Sequence, residues 1–235
     1  MYNKLNVAGL NILVDYQHET MLKQAKAYIC DFDKEDMVLK LRDEDAKEAK
    51  HNNPLLTDND IEYIFTGAYF YEGLIEHNGM LLHSSAAMVD GKAYLFTADS
   101  GIGKSTHTAL WQKYLGKDKI KILNDDKPAI RIVEGKVMVY GTPWSGKTDM
   151  NINTSAELGA IVCIQRAAEN SIEEISSDKA IPLILQQTIR PKDPFKMALM
   201  LDILDVVLRK TKVYILNCNM SKEAVEISYN TIKVN

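Results

Sequence analysis

One stretch limits the folds open to this chain more than any other: a β-type run, a glycine-rich loop and a helical pattern follow one another directly. Residues 93–98 (AYLFTA) have the composition of a buried strand. Residues 106–115 (THTALWQKYL) place apolar residues near helical spacing. Between these segments, residues 98–105 (ADSGIGKS) follow the pattern [A/G]-x-x-x-x-G-K-[S/T]. We call residues 98–105 the glycine loop.

The glycine loop is predicted to bind phosphate groups. Gly101 and Gly103 allow backbone angles that other residues resist, so successive N–H groups can turn toward one anion. The helix that follows would direct its free N–H groups and positive dipole end to the same anion. Lys104 would reach the terminal phosphates of a nucleotide, and the Ser105 hydroxyl would contact Mg²⁺. The predicted nucleotide contacts are Asp99, Ser100, Gly101, Ile102, Gly103, Lys104, Ser105 and Thr106.

A second segment, residues 141–148 (GTPWSGKT), matches the strict G-x-x-x-x-G-K-[S/T] pattern better than the glycine loop does. We reject it as the nucleotide loop for physical reasons. Pro143 has no N–H to donate to a phosphate, and Trp144 is bulky where the loop must approach its ligand closely. Residues 149–159 also lack an apolar helical period, so no helix N-terminus is expected behind the segment.

A β-hairpin is predicted immediately before the glycine loop. Residues 82–89 and 92–98 flank Asp90-Gly91, a strong two-residue turn signal. Counting outward from the turn places His83 opposite Ala98, beside the mouth of the glycine loop. His83 is therefore a candidate site residue that could act as acid, base or hydrogen-bond donor near neutral pH. The strand that enters the loop should have an antiparallel neighbour, unlike the all-parallel sheets of common nucleoside triphosphatases.

An acidic pair follows the next predicted strand. Residues 119–123 (KIKIL) run into Asn124-Asp125-Asp126-Lys127-Pro128, and carboxylates near bound phosphates are what Mg²⁺ requires. A second predicted hairpin turns at Glu134-Gly135 and places Asp126 opposite Pro143. Ser145 and Lys147 would then contact the phosphate or the acceptor. A purely structural loop with a solvated lysine explains that segment equally well.

Bulk properties restrict the partners and the compartment. The chain has 235 residues and a net charge of −4, which does not suggest binding to nucleic acid. Its three cysteines, Cys30, Cys163 and Cys218, have no paired spacing and suggest reduced, buried thiols of a cytoplasmic protein. No signal segment or membrane-spanning run is visible. The oligomeric state, including a homo-oligomer, stays open.

The division of the chain is predicted at the end of one amphipathic helix. Thr57 resembles an N-cap, an apolar stripe follows, and Asn78-Gly79 is typical of a helix end, with Gly79 as the left-handed residue. We predict an N-terminal α+β region over residues 1–78 and a kinase-like domain with the glycine loop over residues 79–235. Residues 194–210 are predicted to form a buried helix, and residues 31–50 a solvated surface with one short strand.

The motifs in this order resemble HPr kinase/phosphorylase and its small kinase-like relatives, whose core is shared with the phosphoenolpyruvate carboxykinases. The matching segments read HSSA, SGIGKST, NDDKP and GTPWSGK, and the resemblance covers residues 80–146. It implies a mixed-sheet α/β fold, with antiparallel hairpins that flank the nucleotide site and a small α+β region before it. The full kinase's own N-terminal domain and its C-terminal docking segment are not recognisable in this chain.

By this resemblance we expect a kinase that uses ATP and Mg²⁺. Its acceptor would be a hydroxyl group, either of a serine in a protein or peptide or of a small molecule. Asp125 would accept the hydroxyl proton, Asp126 and Ser105 would hold the metal, and His83 would lie near the transferred phosphate. Carboxykinase metal and substrate residues are not identifiable, so decarboxylation is not expected. Two alternatives are a regulatory or scaffold protein that binds nucleotide without transfer, and a nucleotide hydrolase. The acceptor itself is not indicated by the sequence.

Overall fold

The computed structural model of the protein describes residues 2–233. These residues form a mixed α/β structure with one three-stranded sheet and one nine-stranded sheet. The three-stranded sheet lies entirely within the first 40 residues, and the nine-stranded sheet begins at Gly79. Within residues 2–233, no helix combines the length and apolar character needed to cross a membrane.

The N-terminal region consists of the small sheet and three helices. Val7 pairs with Leu10 across a turn at Ala8-Gly9, where both residues have positive φ angles, so residues 5–16 form two strands and not one bent strand. The third strand pairs in parallel with the second. The elements are β1 (Tyr2–Val7), β2 (Leu10–Asp15), α1 (Glu19–Gln24), β3 (Met37–Lys40), α2 (Asp43–Asn52) and α3 (Asp58–Leu74), with short 3₁₀ turns at Lys26–Tyr28 and Ile75–His77.

Helix α3 begins at the predicted cap but ends differently from the prediction. The Thr57 hydroxyl accepts from the Asp60 N–H, and the Asp60 carboxylate accepts from the Thr57 N–H, which completes a capping box. At the other end Asn78, not Gly79, adopts the left-handed conformation, with φ of 56°. Gly79 is the first residue of a strand. A side chain there would meet Leu74, Arg131 and the Ile130 carbonyl within 2.8 Å, so glycine is required for space.

The remainder of the chain builds the large sheet and four helices. Its elements are β4 (Gly79–Leu81), β5 (Ser84–Val89), β6 (Lys92–Thr97), α4 (Lys104–Leu115), β7 (Lys121–Asn124), β8 (Ala129–Val133), β9 (Lys136–Tyr140), β10 (Ser155–Arg166), β11 (Ser171–Ile175), α5 (Ser177–Gln186), α6 (Pro194–Lys210), β12 (Lys212–Cys218) and α7 (Lys222–Lys233). A 3₁₀ turn lies at Gly146–Thr148. Residues 194–210 are helical as predicted.

Strand β10 organises the large sheet. It pairs in parallel with β6 along one side. On the other side its first residues pair antiparallel with β9, and its later residues pair in parallel with β12. On the side away from β6, the sheet therefore continues in two branches, one through β9, β8 and β4 and the other through β12 and β11. Because β5 and β7 lie beyond β6, the residues that follow β6 and β7 leave the sheet near one another.

Helices cover both faces of this sheet. One face carries apolar residues, including Leu95 and Ile161, that pack against α5 and α6, where Leu204 belongs to the same cluster. The opposite face packs against α4 and α7, with Phe96, Trp111 and Tyr229 at its centre. Burial on both faces explains why β6 and β10 read as continuous apolar runs without alternation. The glycine loop is thus attached to a fully buried strand and a packed helix.

Both predicted hairpin registers are confirmed. Val89 pairs with Lys92 and Ser84 with Thr97, so His83 follows opposite Ala98. Val133 pairs with Lys136 and Ala129 with Tyr140. At each two-residue turn both residues have positive φ angles, as type I′ turns require. The antiparallel neighbour of the loop strand, β5, is also present.

Three local predictions were wrong or incomplete. Residues 43–52, predicted as irregular surface, form helix α2, which buries no residue and was hidden by the absence of an apolar stripe. Strand β11 was missed because it is short and mostly exposed. Cys163 and Cys218 are buried free thiols as predicted, whereas Cys30 is only partly buried.

Candidate phosphoryl-transfer site

The glycine loop joins strand β6 to helix α4 within a few residues. Gly101 has a φ of 80° and Gly103 a φ of 130°, both outside the range that residues with a Cβ adopt easily. Nothing lies within 4 Å of a Cβ placed on either glycine, so their backbone is open on that side. Helix α4 begins at Lys104, and the free N–H groups of its first turn therefore face the glycine loop, where an anion would bind.

Lys104 is 8% exposed and folds back over its own loop. Its Nζ donates to the Ala98 carbonyl at 2.9 Å. Burial lowers the pKa of Lys104, while the carboxylates of Asp126 and Asp125 act in the opposite direction. The ammonium group therefore lies within the electrostatic reach of both acids, although β7 and α4 are separate elements.

Asp126 lies between the side chains of His83 and Lys127. Its Oδ1 is 3.0 Å from His83 Nε2, and its Oδ2 is 2.5 Å from Lys127 Nζ. Burial alone would raise the pKa of Asp126, but the hydrogen bond with His83 and the charge of Lys127 outweigh burial and lower the pKa to about 2. The carboxylate is therefore ionised throughout the neutral range.

The second ring nitrogen of His83 also faces an acceptor. His83 Nδ1 is 3.1 Å from Gln187 Oε1, and Gln187 Nε2 donates to Asp99 Oδ1 at 2.7 Å. Reversing the Gln187 amide would set its oxygen against the Asp99 carboxylate, so the orientation is fixed by its partners. Both hydrogen bonds of His83 form together only when the ring carries two protons. His83 thus has a polar partner at each ring nitrogen.

Asp125 is connected to the loop helix from behind. Ser85 Oγ donates to Asp125 Oδ1 at 2.5 Å and lies 2.8 Å from Thr108 Oγ1 on α4. Asp125 is 4% exposed, and its Oδ2 is buried without a hydrogen-bond partner among the described residues. A buried carboxylate oxygen left open in this way is costly unless it serves a ligand, a metal or a proton.

Residues 141–148, the rejected second motif, anchor the N-terminal region to the core. Trp144 is fully buried, stacks on Phe70 with ring centroids 4.8 Å apart, and donates from Nε1 to Thr66 Oγ1 at 3.2 Å. The Gly146 N–H donates to the Tyr63 hydroxyl at 2.9 Å. The segment ends in a 3₁₀ turn at Gly146–Thr148, and it therefore lacks the α-helix that begins directly behind a nucleotide loop.

A cavity of about 950 Å³ brings these elements together. Its lining comes from the glycine loop and the start of α4, from the His83 and acidic-pair segments, from residues 146–149, and from helices α1 and α3. Of the predicted site residues, the cavity is lined by Ser100, Gly101, Gly103, Lys104, Ser105, Thr106, His83, Asp125, Asp126 and Lys147. Asp99, Ile102 and Ser145 are not among its lining residues. Ser145 is buried and accepts a hydrogen bond from Asn151.

A second cavity of about 440 Å³ adjoins the outer side of the same loop. It shares Gly101, Gly103 and Thr106 with the first cavity and adds Ile102. The other walls are largely apolar and include Leu110, Ile164 and the 75% exposed Met220. Arg166 closes the back of the loop, where its guanidinium donates to the Gly101 and Ile102 carbonyls.

The oxygen atoms in the first cavity suit magnesium. Among the described residues no group of three or more His, Cys, Asp or Glu side chains could enclose a metal alone. Mg²⁺ is often held by only one or two carboxylates together with substrate phosphates and waters. Ser105 and the carboxylates of Asp125 and Asp126 supply hard oxygen ligands of this kind, and the open Asp125 Oδ2 adds a buried acceptor. The residues present therefore fit the ion.

Several residues that support the site were missed in the sequence. Ser85 links Asp125 to α4, Gln187 links His83 to Asp99, and Arg166 holds the loop from behind. Ser85 could have been found from the first hairpin, because its register places Ser85 opposite Phe96 beside the loop strand. No local signal marks Gln187 or Arg166, because each reaches the site from a distant part of the chain.

Comparison with known proteins gives a distant structural likeness. No protein-family model matches the sequence, and no curated protein matches it. Among solved structures, the HPr(Ser) kinase/phosphatase from Coxiella burnetii is similar, with a TM-score of 0.38 and 9% sequence identity. The match covers 64% of this chain and 95% of that chain. A similarity of this size supports no conclusion about activity.

Proposed function

We propose that the protein is a kinase that uses ATP and Mg²⁺ to transfer the γ-phosphoryl group to a hydroxyl acceptor. The observation that carries the proposal is the convergence on one cavity of the glycine loop with Lys104, the acidic pair and His83. Phosphoryl transfer needs mainly positioning and charge neutralisation, and these groups provide both. The chemistry derives from the residues of this cavity and not from the distant structural likeness.

In the proposed reaction the acceptor oxygen forms a bond to the γ-phosphorus, and the bond from that phosphorus to the bridging oxygen of ADP breaks. The hydroxyl proton passes to a carboxylate. Asp126, with a pKa of about 2, is a weak proton acceptor, so we assign this proton to the open Oδ2 of Asp125. Asp126 and Ser105 would hold Mg²⁺, which neutralises phosphate charge when bound. Lys104 would balance the remaining charge, and His83 would lie beside the transferred phosphate.

The second cavity supports a nucleotide donor over a simple phosphate donor. It begins at the same glycines that would hold the phosphates, and its apolar walls suit the flat face of a base. Its lining includes no Asp or Glu side chain among the described residues that could select one base by an acidic contact. The proposal of ATP therefore specifies a triphosphate that carries a base, and not which base it carries.

The decisive experiment measures ADP formation and phosphorylated product with Mg²⁺-ATP for the wild type and Lys104→Ala. The kinase proposal predicts a loss of about a thousandfold or more in turnover for the variant, because the lysine contacts the transferred charge. Wild-type turnover in the variant would refute the proposal. Phosphate release at one rate with and without hydroxyl compounds would indicate a hydrolase. Tight ATP binding without turnover would indicate a regulatory protein.

A further inference from the structure

Helices α1 and α3 form one wall of the large cavity, which we call the N-terminal wall. Helices α1 and α3 contribute a third or more of the residues around it: Glu19, Thr20, Lys23, Gln24, Asn59, Asp60, Tyr63 and Ile64. The phosphate-binding elements come from residues 83–127, on the other side. A cavity of about 950 Å³ is near the upper end for small-molecule sites, so it has room for a triphosphate and a second small substrate.

The wall is a built surface and not a chance approach of two helices. Asn59 and Thr20 exchange two hydrogen bonds: Asn59 Nδ2 donates to Thr20 Oγ1 at 2.8 Å, and Thr20 N donates to Asn59 Oδ1 at 2.9 Å. Tyr63 accepts from the Gly146 N–H, and Lys23 forms an ion pair with Asp149 at 2.5 Å. Helices α1 and α3 are thereby fixed to each other and to residues 146–149, opposite the glycine loop.

Among the described residues of the wall, Gln24 has a buried side-chain oxygen without a hydrogen-bond partner. It is 8% exposed, and its Nε2 donates to the Gly146 carbonyl at 3.4 Å. Its Oε1 is buried without a hydrogen-bond partner among the residues that the structure describes. A buried amide oxygen of this kind calls for a donor, either an N–H or an O–H group. Because Gln24 lines the cavity, a ligand in the cavity can supply that donor.

The charges of the wall indicate which donor is favoured. Glu19 and Asp60 place two carboxylates on this side of the cavity. The lysine of α1, Lys23, is neutralised by Asp149. The Lys127 ammonium, which lies over the Tyr63 ring, is paired with Asp126. The wall therefore keeps the negative charges of Glu19 and Asp60 beside the unpaired Gln24 oxygen and should attract a cationic donor, whereas Lys104 attracts phosphate.

We propose that α1 and α3 form the acceptor subsite, and that the acceptor is a small amino alcohol whose ammonium group binds Gln24 Oε1 while its hydroxyl faces the phosphates. This proposal rests on the kinase function proposed above. The acceptor is then a small molecule that fits inside the cavity, and not a serine on the surface of a folded protein.

Binding and turnover are measured separately, so that this proposal and the kinase proposal can fail independently. Ethanolamine, L-serine, glycerol and a serine-containing heptapeptide are added to the full-length protein, and binding is followed by NMR. The same four compounds are then tested for stimulation of ADP formation and for phosphorylated product. We expect ethanolamine or L-serine to bind and to stimulate turnover at least tenfold, and glycerol and the peptide to do neither.

Gln24→Leu should raise the KM of the active amino alcohol about tenfold or more and leave the KM for ATP within twofold, because it removes an acceptor bonded to a charged group. Gln17→Leu, an exposed glutamine beside α1, is the matched control and should change neither constant. Glu19→Lys, on the exposed part of the wall, should weaken binding without a risk to folding.

The outcomes are exclusive. Amino-alcohol binding that depends on Gln24, without any turnover, would retain the subsite and refute the kinase. Turnover that depends on Lys104 but is stimulated only by glycerol or the peptide would refute the subsite. The subsite is also refuted if Gln24→Leu and Glu19→Lys both leave binding of the amino alcohols unchanged, or if neither amino alcohol binds.

Discussion

His83 Nε2 lies 3.0 Å from Asp126 Oδ1, although the two residues are 43 positions apart in the chain. The hairpin of β5 and β6 carries the histidine to the mouth of the glycine loop, and β7, paired with β5, carries the acid to the same place. Lys127 approaches the other oxygen of the same carboxylate. Asp126 thus has a hydrogen-bonding partner at each carboxylate oxygen, and its acid–base behaviour can be predicted.

Asp126 should titrate with a pKa of about 2 in the folded protein, below its ordinary value near 4. A lowered folded pKa stabilises the fold above about pH 4, and this contribution disappears as the pH falls toward 2. Its size is about 2 kcal/mol. His83→Gln and Lys127→Met should each raise this pKa, and carboxyl-carbon NMR titration measures it directly. An unchanged pKa in both variants would contradict the geometry.

Replacement of Asp125 and replacement of Asp126 should impair turnover in different ways. Asp125→Asn removes the proposed proton acceptor, so the maximal rate should fall at least a hundredfold, while the Mg²⁺ concentration that gives half-maximal activity changes little. Asp126→Asn removes the proposed metal ligand, so that concentration should rise tenfold or more. Magnesium titrations of turnover for both variants test the division. The reverse pattern would exchange the two roles.

Asp125→Asn should also preserve or raise the stability of the nucleotide-free protein. The wild-type carboxylate is buried with one oxygen unpaired, and a neutral amide of the same shape removes most of the cost of burying that charge. We expect a gain of up to about 1 kcal/mol in the free energy of unfolding, measured by urea denaturation. Ser85→Ala is the comparison: it removes the hydrogen bond that Ser85 donates to the Asp125 carboxylate and should destabilise the protein.

Much of the site could be predicted from the sequence because its signals are local. Asp90-Gly91 and Glu134-Gly135 fix the hairpin registers, and a register fixes neighbours by counting. The same counting placed residues 141–148 beside the acidic pair, and Gly146 does lie against Asp126. Trp144, which the sequence analysis considered too bulky for a phosphate loop, stacks on Phe70 of α3, a contact that the sequence did not indicate.

The contacts of helices α1 and α3 with residues 146–149 could not be predicted, because they join segments that are far apart in the sequence. Nothing near Gln24 in the sequence indicates that it reaches Gly146, more than a hundred residues away. Gln187 approaches His83 in the same long-range manner. Such contacts follow from packing in three dimensions and leave no periodicity or turn signal behind. The division at residue 78 and the roles of the individual site residues stay predictions.

The second cavity should govern affinity for the nucleoside and not for the phosphates. Met220→Glu places a charge on its apolar wall, where it would face the proposed base. We expect the KM for ATP to rise about tenfold with little change in maximal rate, because the loss is one of binding common to ground and transition states. Inorganic triphosphate, which has no base, should bind the variant and the wild type equally in calorimetry. Leu201→Glu, at an exposed apolar site on α6, is the matched control.

Trp144 should determine how firmly residues 146–149 are held against helices α1 and α3. Trp144→Phe removes the hydrogen bond to Thr66 and part of the stacking on Phe70, at a cost of about 1–2 kcal/mol. Because Gly146 follows two residues later and donates to Tyr63, its amide should exchange with solvent faster by more than the global loss of stability explains. Trp111→Phe, in the equally buried cluster beneath α4 and α7, serves as the control. It should lower stability to a similar extent without selective exposure of the Gly146 amide, and equal acceleration in both variants would show that Trp144 has no special hold on the segment.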